Sequence, residues 1–120
     1  MEKFESREMY LETIYELREK MGNVRAVDIA AALGYAKSSV SVAIKNLKEA
    51  GMLDVESSGQ IILSKEGESL AKYIAEKHGL LTKFFISIGV EEQIASADAC
   101  KIEHVISDET IAVIQKYLSK

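Results

Sequence analysis

The sequence contains no proline, no tryptophan and only one cysteine in 120 residues. The lack of proline leaves long helices free to run without interruption. A single cysteine excludes an intrachain disulfide, and a lone thiol suits a reducing compartment. No apolar run is long enough to cross a membrane, and the charged N-terminus has no signal-peptide core. We therefore expect a cytoplasmic protein that does not enter a membrane.

Acidic residues outnumber basic residues, with 19 Asp and Glu against 15 Lys and Arg, so the formal net charge is −4. This balance argues weakly against nucleic acid as a partner, since DNA affinity depends on neutralising phosphates. The local distribution is more informative, because residues 37–48 contain Lys37, Lys45 and Lys48 and no acidic residue. The hydrophobic fraction of 48% predicts a folded chain of one domain or two very small ones.

Apolar periodicity and turn residues predict a mainly α fold with one hairpin. Tyr10, Ile14, Leu17 and Met21 repeat at helical spacing and mark the inner face of the first helix. Residues 57–59, Ser-Ser-Gly, have the composition of a turn between two short strands. The predicted helices cover about residues 6–21, 27–33, 37–50, 64–88, 91–104 and 108–118, and the predicted strands cover residues 53–56 and 60–63.

The order of three helices followed by a hairpin is that of a winged helix-turn-helix. We therefore predict a DNA-binding domain at residues 1–63. The remaining helices, at residues 64–120, should form a second small helical domain, which the family resemblance described below implies is a metal-binding and dimerisation domain. Ser64 and Ser107 stand where they would cap the fourth and the sixth helix.

Residues 27–53 have the internal spacing of a helix-turn-helix. Ala30 is small where two helices cross, Gly34 tolerates a positive φ in the turn, and Val40 is apolar where the second helix packs back. The alternative is a structural helical hairpin with an ordinary solvated face, but the adjoining hairpin favours DNA binding. The candidate DNA contacts on the second helix and the hairpin turn are Lys37, Ser38, Ser39, Ser41, Lys45, Asn46, Ser57 and Ser58.

Five residues near the two ends of the chain are candidate metal ligands. Cys100, Glu103 and His104 have the spacing i, i+3, i+4, so a helix places a thiol, a carboxylate and an imidazole on one face. Met9 and Glu12 form a second pair of donors, three residues apart. These donors suit a divalent transition metal. Each also has a more ordinary role as core, surface pair or solvated charge, so the pattern alone leaves the metal function open.

His78 is a sixth candidate. It lies in the apolar stripe of the fourth predicted helix, four residues after Ile74 and three before Leu81. An inward imidazole needs a polar partner. A satisfied core histidine and a metal ligand both meet that need.

Five segments carry a resemblance to a known family. They are EMYLETIYEL at residues 8–17, DIAAALG at 28–34, SSVSVAIKNL at 38–47, KHGLL at 77–81 and ACKIEHVISDE at 99–109. Together they resemble the iron- and manganese-dependent repressors typified by the diphtheria toxin repressor and the manganese transport regulator. The resemblance implies a homodimer that binds palindromic double-stranded operator DNA when loaded with Fe(II) or Mn(II).

The resemblance also implies ligands. The primary regulatory site of iron-type members is matched by Met9, Cys100, Glu103 and His104. A second-ion site of manganese-type members, in which a carboxylate stands at the Cys100 position, is matched by Glu12 and His78. The sulfur donors favour Fe(II), or Co(II), Ni(II) and Zn(II), over Mn(II). We expect Fe(II), with Mn(II) as the close rival.

The sequence departs from the iron-type pattern at the ancillary metal site. Thr82 and Ser96 stand where that pattern has further ligands, and the chain ends at Lys120 before an SH3-like third domain. We therefore expect a two-domain short form in which that ancillary site is not built in the iron-type way.

Two other functions stay open at this point. One is a winged-helix transcription regulator that metal does not control. The other is a thiol or metal hydrolase that uses Cys100 and His104. The sequence disfavours the hydrolase, because no oxyanion-hole loop or Gly-rich phosphate-binding loop accompanies the two residues. We expect a regulator and not an enzyme.

Overall fold

The computed structural model describes the backbone of residues 3–120 and the side chains from residue 7 onward. Within that range the chain forms six helices and two strands, and the predicted mainly α class is confirmed. The elements are α1 Lys3–Met21, α2 Ala26–Leu33, α3 Lys37–Glu49, β1 Leu53–Val55, β2 Ile61–Leu63, α4 Lys65–Ser87, α5 Glu92–Ile102 and α6 Asp108–Leu118. None of the described helices combines the length and apolarity that a membrane crossing requires.

The chain divides into two compact units, Met1–Lys72 and Tyr73–Lys120, called the first and the second unit below. The division falls inside α4. The domain boundary predicted between residues 63 and 64 lies at the N-terminal end of that helix and stays a prediction.

The first unit packs α1, α2 and α3 around one apolar core. Leu11 and Ile14 of α1, Ile29 of α2 and Val40 of α3 are almost completely buried. Burial of one such side chain contributes about 1.5–3 kcal/mol, before the entropic cost of ordering the chain is subtracted. The core therefore holds α3 in place from its inner face.

Glycines with positive φ follow α1 and α2. Gly34 has φ +69° and its N–H donates to the carbonyl oxygen of Ala30 at 2.9 Å, as the predicted turn requires. Gly22 has φ +84° and follows Met21 directly. The inner position predicted for Met21 is wrong: its side chain is 51% exposed, because α1 ends there and the chain turns away.

The strands β1 and β2 pair antiparallel, with Leu53 opposite Leu63. β1 ends at Val55 and β2 begins at Ile61, so each strand is one residue shorter at the turn than predicted. The N–H of Ile61 donates to the carbonyl oxygen of Val24 at 2.7 Å. The hairpin is therefore bonded to the loop between α1 and α2.

The first turn of α4 is fixed against the residues that join α3 to β1. The hydroxyl of Ser64 accepts from the N–H of Gly67 at 3.0 Å, which confirms the predicted cap, and donates to the carbonyl oxygen of Gly51 at 2.6 Å. A Cβ added to Gly67 would lie 1.9 Å from the carbonyl oxygen of Met52. Only glycine permits this close approach.

The second unit packs the C-terminal part of α4 with α5 and α6. The N–H of Thr110 donates to the hydroxyl of Ser107 at 3.2 Å, which confirms the predicted cap of α6. The buried residues of its core cluster are Leu81, Ala99, Ile111 and Ile114.

Two helix ends in this unit differ from the prediction. α4 ends at Ser87, and Ile88 is 57% exposed because Gly89 turns the chain with φ +105°. α5 ends at Ile102 and not at residue 104. The N–H of Val105 bonds the carbonyl oxygen of Ile102 at 3.0 Å, so the last turn tightens and the regular helix stops.

We expect Gly67→Ala to lower the free energy of unfolding by about 1–3 kcal/mol. The added Cβ would overlap the backbone of Met52, which cannot move aside as a flexible side chain could. Urea denaturation followed by circular dichroism measures the change. The matched control is Gly79→Ala in the same helix, where a Cβ meets nothing within 4 Å. That control should be neutral or stabilising by up to about 1 kcal/mol. Equal effects of the two substitutions would contradict the close approach at Gly67.

Candidate metal centre and nucleic-acid interface

Glu103 follows α5 directly, and its side chain is fully buried. Its Oε2 accepts a hydrogen bond from Nδ1 of His78 at 2.9 Å. Its Oε1 is buried and has no hydrogen-bond partner among the described residues. Nε2 of His104 lies 3.3 Å from Oε1 but without the geometry of a hydrogen bond. An unsatisfied buried acceptor costs about 1–3 kcal/mol, so this oxygen favours an electropositive partner.

His78 projects from α4, and both of its ring nitrogens have partners. Nδ1 contacts Oε2 of Glu103, and Nε2 lies 3.2 Å from Oγ of Ser96 on α5. The side chain is 28% exposed, as the predicted inward position implies. The structure therefore shows a hydrogen-bonded inward histidine, and the ligand role predicted for His78 stays a prediction.

The two other predicted donors of the second unit differ in exposure. The side chain of His104 is 8% exposed, whereas Cys100 is exposed. Although α5 ends at Ile102, Glu103 keeps helical backbone angles, φ −59° and ψ −26°. Cys100 and Glu103 therefore keep the i, i+3 spacing of a helix and share one helical face, although the regular helix ends between them. In this unit the structure brings Glu103 together with His78 and His104.

Met9 and Glu12 project from α1 three residues apart. Met9 is half-buried and Glu12 is buried. The sulfur of Met9 lies 4.0 Å from the hydroxyl of Tyr35, the residue that follows Gly34 in the turn before α3. The ring of Tyr35 also meets the ring of Tyr10 edge to face, with centroids 6.1 Å apart. Burial raises the pKa of Tyr10, and the nearby Tyr35 raises it further.

The donors of the second unit fit a divalent transition metal. Oε1 of Glu103 is an anionic oxygen that its neighbours leave unsatisfied, and the imidazole of His104 stands beside it. Cys100 adds a thiol at the same end of α5. Carboxylate, imidazole and thiolate are the protein ligands of Fe(II), Mn(II) and Zn(II). The residues present therefore fit such an ion.

α3 presents a polar face to solvent on the side away from the core. Val40, Ile44 and Leu47 are its buried residues. The predicted DNA contacts on this helix are all exposed: Lys37, Ser38, Ser39, Ser41, Lys45 and Asn46. The predicted wing contacts Ser57 and Ser58 are exposed in the turn between β1 and β2. This surface offers hydroxyl, amide and ammonium donors to phosphates.

Two residues of interest were missed by the sequence reasoning about sites. Val42 of α3 is 60% exposed on the same face as the serines, and an apolar side chain there suits contact with a thymine methyl group. Its position two residues after the buried Val40 was the available signal. Ser96 was noted as a departure from the iron-type pattern, but its bond to His78 could not be seen without the packing of α4 against α5.

Two family models match the chain almost end to end. The iron dependent repressor N-terminal DNA binding domain matches residues 3–60, and the iron dependent repressor metal binding and dimerisation domain matches residues 64–120. The chain belongs to the iron-dependent repressor family. The resemblance seen in the sequence is confirmed. The family's members are transcriptional regulators, so the hydrolase alternative is excluded.

Curated relatives agree with this membership. The transcriptional regulator MntR of Escherichia coli is 33% identical over 92% of this chain and 72% of its own length. The HTH-type transcriptional regulator MntR of Bacillus subtilis is 36% identical over 88% of this chain and 75% of its own length.

A solved structure shares the fold as well. A manganese-dependent transcriptional repressor in complex with manganese matches with a TM-score of 0.86 and 27% identity. The match covers 94% of this chain and 52% of the solved chain. The chain thus spans about half the length of that neighbour.

We expect Glu103→Gln to leave the chelator-treated protein at least as stable as the wild type while abolishing stabilisation by metal. A glutamine keeps an acceptor for His78 and gives His104 an amide donor, but it removes the anionic ligand. Thermal denaturation with and without Mn(II) measures both effects, because a ligand that binds the native state raises its stability.

The matched control is Glu92→Gln, which changes an exposed carboxylate in the first turn of α5. It should retain the full shift with metal. A Glu103→Gln protein that keeps the wild-type shift would contradict a metal at this carboxylate.

Proposed function

We propose that this protein is a metal-dependent transcriptional repressor that acts in the cytoplasm as a homodimer on palindromic double-stranded operator DNA. The observation that carries the proposal is the buried Glu103 carboxylate with one oxygen unsatisfied beside His104. A divalent cation is the partner that such an oxygen favours. The family to which the chain belongs pairs a metal-binding domain with a DNA-binding domain, which supports the same conclusion.

We propose that the primary ion takes its ligands from Met9, Cys100, Glu103 and His104, and that Glu12 belongs with His78 to a second-ion site. Bound at the primary site, the ion supplies positive charge and a fixed coordination geometry. Oε1 of Glu103 gains the partner that it lacks, while Oε2 keeps its bond to His78. The ligand role predicted for His78 requires one ring nitrogen to give up its present hydrogen bond. We therefore leave His78 outside the primary set.

Fe(II) is the metal that we propose, with Mn(II) as the alternative and Co(II), Ni(II) or Zn(II) as substitutes. The sulfur atoms of Met9 and Cys100 are soft donors and favour Fe(II) over Mn(II). Two facts favour Mn(II): Glu12 is a hard oxygen donor, and relatives and neighbours are named as MntR and as manganese-dependent. Either ion meets the need of Glu103.

We propose that α3 enters the major groove of the operator. Lys37 and Lys45 lie on its exposed face, and their ammonium groups suit phosphates, which set position and affinity but not sequence. The side chains that then meet base edges are Ser38, Ser39, Ser41 and Val42. Ser57 and Ser58 of the wing add contacts to the sugar-phosphate backbone.

The homodimer is supported by apolar side chains that the second unit leaves exposed. On α6, Val113 is 66% exposed and Tyr117 is 52% exposed, one helical turn apart, whereas Ile111 and Ile114 are buried on the other side. Exposed apolar side chains of this size favour a protein interface. A two-fold dimer presents two α3 helices, which matches a palindromic operator.

Metal loading should tighten operator binding by about 5- to 150-fold, the usual range of coupling between two sites. The operator is obtained by selection from random duplex DNA with Mn(II)-loaded protein, and affinity is measured by fluorescence anisotropy with Mn(II), with Fe(II) under anaerobic conditions, and with chelator. Cys100→Ala and His104→Ala should reduce the affinity with metal to that of the chelator-treated wild type. Glu92→Gln should behave as the wild type.

The rival function, a winged-helix regulator that metal does not control, makes the opposite prediction. Its DNA affinity is the same with metal and with chelator, and calorimetry shows no stoichiometric heat when metal is added. Either result would show that metal does not control this regulator. The proposal that the protein binds DNA would not be affected.

Cys100→Glu should shift metal preference toward Mn(II) relative to Co(II), on the order of tenfold, because a hard carboxylate replaces a soft thiolate. Competition between the two ions, read by metal analysis of the recovered protein, measures the shift. Cys100→Ser is the matched control, since it removes the soft donor without adding a carboxylate. A preference that is the same in all three proteins would show that residue 100 is not a ligand.

A further inference from the structure

Tyr35 lies in the turn between α2 and α3, directly before the residue that caps α3. Its N–H donates to the carbonyl oxygen of Ala30 at 3.2 Å, which fixes its backbone to the end of α2. The next residue, Ala36, is the N-cap of α3, and its carbonyl oxygen accepts from the N–H of Val40 at 3.1 Å. A displacement of Tyr35 therefore displaces the start of α3.

The side chain of Tyr35 contacts α1 in two ways. Its hydroxyl lies 4.0 Å from the sulfur of Met9, and its ring meets the ring of Tyr10 edge to face, with centroids 6.1 Å apart. Tyr10 is buried and Met9 is half-buried, whereas Tyr35 is 40% exposed. One turn residue thus connects a proposed metal ligand of α1 to the helix proposed to enter the major groove.

The contact between the hydroxyl of Tyr35 and the sulfur of Met9 is compatible with a metal ion on the same sulfur. A thioether sulfur has two lone pairs and is a weak hydrogen-bond acceptor, whereas a phenolic hydroxyl is a donor. One lone pair receives the hydroxyl of Tyr35 and the other is left for a cation. Because a methionine side chain has three rotatable bonds, its sulfur takes a fixed position only when its partners hold it.

We propose that Tyr35 is a positioning residue that couples Met9 to α3: an ion that fixes the sulfur also fixes the hydroxyl of Tyr35, and with it the turn from which α3 starts. The proposal rests on the proposed function, in which Met9 is a ligand and α3 reads the operator. It assigns part of the coupling between metal and DNA to one side chain. One hydrogen bond commonly changes an equilibrium by about two- to tenfold, and a weak sulfur acceptor belongs at the lower end of that range.

A different role for Tyr35 is a direct contact with a phosphate, because the side chain is partly exposed beside α3. The direction of its hydroxyl toward the sulfur of Met9 favours coupling instead. The two roles make different predictions. A phosphate contact contributes equally to DNA binding with and without metal, whereas coupling contributes only when metal is bound.

The test is the affinity of the full chain for the selected operator, measured with Co(II) and with chelator. Tyr35→Phe keeps the ring and its contact with Tyr10 but removes the hydroxyl. It should weaken operator binding with Co(II) by about two- to fivefold and change the affinity in chelator by less than about twofold. Because coupling is reciprocal, the operator should also tighten Co(II) binding less in this variant, by the same factor.

Tyr15→Phe is the matched control, because it removes a phenolic hydroxyl from another ring of the first unit, one that faces the guanidinium of Arg18 at 5.3 Å. It should behave as the wild type in both conditions. Wild-type coupling in Tyr35→Phe overturns the proposal. An equal loss of affinity with Co(II) and with chelator also overturns it, and identifies a phosphate contact.

A double-mutant cycle tests whether the effect passes through sulfur. In a Met9→Leu background the contact is already absent, so Tyr35→Phe should cause no further loss of operator affinity at saturating Co(II). A loss as large as in the wild-type background would overturn the proposal, because Tyr35 would then act independently of Met9.

The contact itself is read without metal, from the ¹³C-labelled methyl groups of the four methionines. Met9→Leu identifies the signal of Met9. Tyr35→Phe should shift that signal and leave the signal of Met52 in place, and a Met9 signal that does not move overturns the proposal. A wild type whose operator affinity does not respond to Co(II), Mn(II) or Fe(II) would instead overturn the proposed function, and the coupling role with it, even if the methyl signal shows the contact.

Discussion

A carboxylate that is removed from water must find partners, and Glu103 finds one for only one of its two oxygens. The second unit is arranged around this condition. α4 supplies the imidazole that satisfies Oε2, and the chain directly after α5 supplies the imidazole beside Oε1. An apolar side chain of similar size at this buried position would give a more stable protein than an acid with one unsatisfied oxygen. Retention of a half-satisfied acid therefore indicates a binding function.

The first unit holds the short helix α3 in place from its inner face and leaves the outer face of that helix exposed. α3 is anchored from inside by Val40, Ile44 and Leu47. The turn before it uses the positive φ of Gly34, and the residues after it are fixed by the cap and close packing at the start of α4. The exposed face of α3 therefore does not contribute to the core and is available to enter a groove of DNA.

Much of this architecture could be predicted from the sequence, because it follows from local rules. Helical spacing, the glycines after helices and the serine caps identify nearly every element, and the caps at Ser64 and Ser107 were placed correctly. The helix ends near Ile88 and His104 were misplaced, since spacing alone does not show where a terminal turn tightens or leaves the core. Residue type and spacing singled out Glu103, His104 and His78; the structure brings these side chains together, and their role as ligands stays a prediction.

What the sequence could not supply is the environment of each donor. Nothing in the spacing of Cys100 and Glu103 shows that one is exposed and the other fully buried. The bond from Ser96 to His78 links positions 18 residues apart on two helices, so it depends on tertiary packing. Val42 was overlooked because an apolar residue in a helix suggests a core position, and only the orientation of α3 shows otherwise.

The early end of α5 has an electrostatic consequence. The aligned peptide dipoles of a helix place about half an elementary negative charge at its C-terminal end. Since α5 stops at Ile102, that end lies at Glu103 and His104, where its field adds to that of the acid. The backbone itself therefore attracts a cation to this corner of the molecule, with a contribution of about 0.3–1 kcal/mol that no side-chain substitution would remove.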